Sequence, residues 1–119
     1  MLRVNLRNKH GKDYTTYYLY PADNLLKRAF GLMFRELKDN EGMIFYYNKR
    51  KIHIHTFFMR FPIDVIFLWN NEVVDIVKNL KPWRTYKSKV YSNSMIEVKS
   101  NDKLDLNIGD VIKIVNYNK

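Results

Sequence analysis

Along residues 2–7 the chain alternates: Leu2, Val4 and Leu6 fall on one side, and Arg3, Asn5 and Arg7 on the other. A period of two predicts a half-buried strand. The polar stretch NKHGKD follows, and its Gly11 predicts a turn. YTTYYLY, residues 14–20, is β-branched and aromatic, the composition of a returning strand, so the two runs predict a hairpin. The period then changes. Leu25, Leu26, Ala29, Phe30 and Met33 recur at three- and four-residue spacing. That spacing predicts an amphipathic helix near residues 22–33, with Asp23 or Asn24 as its cap.

Beyond the turn KDNEG, short strands are predicted over 43–47, 51–59, 63–69, 73–80, 94–99 and 110–116. Asn70-Asn71 predicts a tight hairpin turn, because Asn tolerates positive φ. Residues 81–91, KPWRTYKSKVY, show no clean period and include Pro82, which predicts a long loop. Roughly eight short strands and one helix predict a mainly β (β-rich α+β) fold. The expected architecture is a compact antiparallel β-sandwich or barrel.

One stretch complicates the pattern. FFMRFPIDVIFLW, residues 57–69, is nearly all apolar, yet it carries Arg60 and Asp64 on either side of Phe61-Pro62. In a strand over 63–69, Ile63, Val65, Phe67 and Trp69 share one face. Asp64 then lies with Ile66 and Leu68 on a second apolar face, where an unpaired carboxylate is costly. Arg60, Arg28 and Arg35 are the predicted partners, a bidentate arginine being the best match. The pairing reads as a staple between helix and sheet, or as the floor of a pocket for an anionic ligand.

Composition narrows the function classes. The 119 residues are 46% hydrophobic and 15% aromatic, which suits a single globular domain over residues 1–119 with a real core. There is no cysteine, which excludes disulfides, thiolate metal sites and a cysteine nucleophile. The opening residues MLRVNLRNKHGKD lack the apolar run of a signal peptide, and no apolar stretch reaches the length of a membrane span. A soluble, cytoplasmic protein is expected. Lys and Arg number 21 against 12 Asp and Glu, a formal charge of +9, which favours contact with polyanions.

The order of several short strings resembles a known family. RAFGLMFR (28–35), GMIF (42–45), FFMR (57–60) and PIDVIF (62–67) are followed by a late IEV (96–98) and NIGD (107–110). Together they are similar to domain of unknown function family 192, in its archaeal-type variant. The resemblance runs from about residue 25 to residue 115 and implies a mostly β fold with a helix. It implies no established activity. FFMR stands where many members carry Phe-Trp-Met-Lys, so Phe58 replaces the usual Trp. Phe61 alone separates Arg60 from Pro62, where many members have extra residues including Asn-Thr. Any polar groups those residues supply to a site are absent here.

Three candidate sites follow. The first is a non-enzymatic binding or interaction module whose anionic ligand meets Arg28, Arg35, Arg60 and Asp64. The second is single-stranded nucleic-acid binding through the loop 78–91. There Lys81, Trp83, Arg84, Tyr86 and Lys87 interleave cations for phosphates with rings for bases. The third is a small hydrolase or transferase using Asp64 or Glu97 as an acid or base, with Asp110 a further carboxylate to weigh. His53 and His55 share a strand face, but no spacing supplies the further ligands zinc requires. No metal site and no cofactor is expected. No phosphate-cradling glycine loop and no serine elbow is present.

Overall fold

The computed structural model describes residues 2–7, 14–22, 38–57, 59–100 and 104–116. Nine strands occur among them: β1 (Leu2–Arg7), β2 (Tyr14–Ala22), β3 (Glu41–Arg50), β4 (His53–His55), β5 (Ile63–Trp69), β6 (Glu72–Leu80), β7 (Thr85–Lys87), β8 (Ser92–Lys99) and β9 (Lys113–Asn116). Seven form one sheet in the order β6-β5-β8-β3-β2-β1-β9, and β4 and β7 form a separate two-stranded ribbon.

The strand β5, next to the β6 edge, is buried from Ile63 to Leu68. A nearly continuous apolar run is what a strand covered on both faces requires. On one face Ile63, Val65 and Phe67 pack with Met43, Phe45 and Met95, and the ribbon covers them with Ile54 and Tyr86. On the other, Ile66 and Leu68 pack with Ile44, Ile96, Val98, Tyr17 and Leu19. Leu104, Leu106 and Ile112 seal that second core. The hairpin between β5 and β6 turns through Asn70 and Asn71, both at positive φ (48° and 70°), as their amide side chains favour.

The accumulated twist brings the sheet's outer edges together at one end. Glu72 of β6 bridges Val111, just before β9. Val73 N donates to Asp110 O at 2.8 Å, and Ile112 N to Asn71 O at 2.9 Å. The contact is local and the strand order stays open, so the sheet is curled rather than a closed barrel.

Four expectations change. The sheet is not wholly antiparallel, since β2 and β3 pair in parallel from Tyr18↔Glu41 to Ala22↔Phe45. A parallel pair needs a crossover of a dozen or more residues, and the span between Ala22 and Glu41 provides it. The strand predicted over 51–59 shrinks to β4, because the chain turns at Thr56–Phe57. The loop predicted over 81–91 contains β7, paired with β4. Ala22 belongs to β2, and the rest of the predicted helix lies outside the described residues. No helix among the described residues is long and apolar enough to cross a membrane.

Candidate nucleic-acid interface

The ribbon is built around one buried hydroxyl. Thr56 is fully buried at the end of β4, and its Oγ1 donates to Lys81 O at 2.6 Å, with Arg84 O at 3.2 Å. The same oxygen accepts from Arg84 N at 2.9 Å. Thr56 O accepts from Trp83 N at 3.0 Å, and Thr56 N donates to Arg84 O at 2.8 Å. These bonds hold Trp83 at φ 63°, a left-handed conformation that a bulky side chain rarely adopts. Thr56→Val keeps the shape but loses the hydroxyl, leaving Arg84 N–H and Lys81 C=O unsatisfied. Urea unfolding is expected to show a loss of about 2 kcal/mol, with faster amide exchange at Arg84.

Alternation along the ribbon sorts its side chains. His53 pairs with Lys87, Ile54 with Tyr86 and His55 with Thr85. Ile54 and Tyr86 point at the sheet. The Tyr86 ring packs tilted against Phe67 (5.8 Å between centroids), and its hydroxyl donates to Asp75 Oδ2 at 2.7 Å. Ser88 Oγ donates to the same oxygen at 2.9 Å, so Asp75 of β6 clamps the ribbon to the sheet. Burial, with that hydrogen bond and the Asp75 charge, pushes the Tyr86 phenol up to about 12. Tyr86 is thus half-buried and faces the sheet rather than the ribbon's outer face.

The outward face is different. His53, His55, Phe57, Thr85 and Lys87 are exposed, and so are Lys51 and Lys89 beyond the strand ends. The rings form a ladder: His55 stacks on Phe57 at 4.8 Å, and Phe57 on Trp83 at 5.8 Å, each tilted by 28°. Trp83 is 56% exposed. Lys81 and Arg84 are exposed beside it. At the opposite end, Lys49 Nζ and Lys51 Nζ lie 4.9 and 5.1 Å from the centroid of the exposed Tyr91 ring. Segments 43–63 and 76–96 supply the ribbon and both its ends, and neither contains an Asp or Glu. That run of charge was legible beforehand; the pairing that brings the two segments together was not.

The arginine–aspartate cluster takes another form. Arg28 and Arg35 lie outside the described residues. Arg60 is exposed and Asp64 is fully buried. Among the described residues no hydrogen bond joins them. Asp64 Oδ1 instead accepts from Asn79 N at 2.8 Å, where β6 slips register against β5 and Asn79 has φ 55°. The carboxylate thus satisfies an amide that the bulge removes from the ladder. Asp64 Oδ2 has no hydrogen-bond partner among the described residues.

Asp110 caps its own turn, Oδ2 accepting from Asn107 N at 2.8 Å. Glu97 pairs with Met43 and Val65, in the middle of the ribbon-covered face. Burial pushes its carboxyl up to about 8. Neither Asp64 nor Glu97 lines the depression beside Tyr91. Among the described residues no three His, Asp or Glu side chains cluster as metal ligands.

These features define a small, strand-built domain with two cores and a basic, aromatic outer ribbon. The chain belongs to the DUF192 family (Uncharacterized ACR, COG1430), which matches residues 6–114. Archaeal relatives share it. A UPF0127 protein of Pyrococcus abyssi is 38% identical over 97 residues, covering 77% of this chain and 81% of the relative. One from Pyrococcus horikoshii is 43% identical over 79 residues, 64% of this chain and 67% of the relative. Two crystal structures share the fold, each with a TM-score of 0.81. A Novosphingobium aromaticivorans protein of unknown function is 25% identical, with 93% of this chain and 83% of that one aligned. A Sinorhizobium meliloti protein described as a candidate transcription regulator is 21% identical, with 95% and 92% aligned. At that identity the likeness carries the fold alone.

Proposed function

We propose that this protein is a non-enzymatic binding module for single-stranded nucleic acid, with the outer face of the β4–β7 ribbon as its contact surface. The single observation that carries the reading is the exposed His55–Phe57–Trp83 ladder in a ribbon without carboxylates. Bases offer flat π faces to such rings, and the phosphates between them require cations alongside. Lys51, Lys87 and Lys89 stand at one end of the ribbon, and Lys81 and Arg84 at the other. Thr56 ties the two segments of the ribbon together and Asp75 fixes it to the sheet, so little ordering is required on binding. The site set is Lys81, Trp83, Arg84 and Lys87, joined by Phe57 and His55 and without Tyr86.

Fluorescence anisotropy of labelled single-stranded RNA and DNA, at about 0.15 M salt, tests it. Phe57→Ala and Trp83→Gly are each expected to weaken binding about tenfold, a typical value for one stacked base. Glycine suits the backbone of residue 83, so that variant keeps its fold. Lys87→Ala should weaken all sequences alike and lower the salt slope by about one. If binding appears only at low salt and ignores both ring substitutions, it is simple counterion release from a +9 chain, and the proposal fails.

A further inference from the structure

Beyond Tyr91 the basic face opens into a depression of about 530 Å³, lined by Lys49, Trp69, Glu72, Val90, Tyr91 and Ile108 among others. Trp69, Val90, Tyr91 and Ile108 are exposed there, an apolar patch that marks a binding surface. Its rim is fixed on two sides. Asn70 and Asn93 bond each other beside Trp69, Asn70 N to Oδ1 at 3.1 Å and Asn93 Nδ2 to Asn70 Oδ1 at 2.8 Å. Glu72 is held by its bridge to Val111, and Gly109 N donates to Val73 O at 2.8 Å.

We infer that this depression is a nucleobase subsite that selects cytosine over uracil, with Glu72 as the reading residue. The inference rests on the nucleic-acid reading above and deepens it. Two charges of opposite sign line the depression, Lys49 and Glu72, the latter the cross-strand partner of Trp69. Lys49 Nζ sits 5.7 Å from the Trp69 ring centroid and 4.9 Å from that of Tyr91, with Lys51 Nζ 5.1 Å from the Tyr91 centroid. Phosphate therefore belongs at the lysine rim, which continues into the ribbon through Lys51. The Glu72 carboxylate repels phosphate, so it is left to meet the base. Trp69, Tyr91, Val90 and Ile108 supply flat and apolar contacts for a ring. A carboxylate only accepts hydrogen bonds. It takes one from the exocyclic amino group of cytosine or adenine, and it opposes the carbonyl oxygen that uracil presents in the same place.

The test compares labelled oligocytidine and oligouridine of equal length, by anisotropy at about 0.15 M salt, for the wild type, Glu72→Gln and Phe57→Ala. The wild type is expected to prefer cytidine about tenfold. Glu72→Gln should erase the preference, because an amide also donates to the uracil carbonyl. Phe57→Ala should weaken both oligomers and leave their ratio intact. Equal binding of both oligomers by the wild type, or a preference untouched by Glu72→Gln, overturns the subsite. The ribbon reading then still stands if Phe57→Ala weakens binding. Should neither oligomer bind, the ribbon reading fails, and titration with cytidine and uridine monophosphates decides the subsite alone. Shifts of the Trp69 indole NMR signal with the cytidine nucleotide only would keep it; no shift with either would overturn it.

Discussion

Between about pH 5 and pH 9 this protein is expected to lose stability through one side chain, Glu97. The carboxyl sits on the face formed by Met43, Val65, Phe67 and Met95, and burial raises it from 4.5 to about 8. The folded state thus prefers the neutral acid. Below pH 4.5 both states hold the proton and Glu97 costs nothing. As pH rises through that value the unfolded chain releases its proton while the folded one keeps it, so folding becomes less favourable. The loss is complete once pH exceeds about 8, where Glu97 ionises in the folded state too. At about 1.4 kcal/mol per pKa unit its upper bound is about 5 kcal/mol, and the partial exposure of Glu97 lowers it. Urea unfolding across this range checks it, with Glu97→Gln as the comparison. The glutamine has nothing to ionise, so its stability should fall less, and the two curves should separate as pH rises. Curves that stay parallel would show that the carboxyl is not held neutral.

The second large effect is at Gly42. It lies inside β3, opposite Val98 of β8 and Leu19 of β2, with the sheet continuing on both sides. A Cβ placed there meets the backbone oxygen of Glu97, lies 2.6 Å from Val98 Cγ1 and 3.0 Å from Leu19 Cδ2. A side-chain tip could move aside, but a backbone oxygen held in a ladder cannot. Gly42→Ala is expected to cost about 3 kcal/mol, the upper end for overpacking, and Gly42→Val is expected to prevent folding. Thermal unfolding by circular dichroism measures the first, and loss of soluble, cooperatively folding protein reports the second. An alanine variant as stable as the wild type would show that β3 and β8 can spread apart. This effect differs from the usual weakness of glycine in strands, because glycine is here the residue that fits.

Much of the fold could be read from the residues. The strand over 63–69 appears with its expected bounds, since IDVIFLW is β-branched, aromatic and closed by Asn70-Asn71. Its burial on both faces follows from the same letters. The site was legible only in parts. Lys81, Trp83, Arg84 and Lys87 are exposed, whereas Tyr86 is turned inward by strand alternation that the aperiodic segment 81–91 conceals. Phe57 falls in the strand predicted over 51–59, yet the turn after Thr56 places it on the surface, stacked on Trp83. Thr56 itself gave no signal: a threonine in an apolar run looks like any strand residue until its partners at 81–84 are known. Glu97 reads as a carboxylate near a strand end, whereas it stands half-buried between Met43 and Val65 on the ribbon-covered face.

The sequence by itself determined the local matters: which segments are strands, where the two-asparagine turn falls, the family, and an excess of positive charge. These depend on side-chain period, backbone propensity and counts, all carried by near neighbours in the chain. Only the tertiary structure decided that β2 runs parallel to β3, that 53–55 pairs with 85–87, and that Asp64 answers Asn79 rather than Arg60. Those outcomes depend on pairing between distant segments, where burial of two apolar faces selects one register among many. That pairing also makes the candidate interface, because it stacks Phe57 on Trp83 and sets Lys51 beside Tyr91.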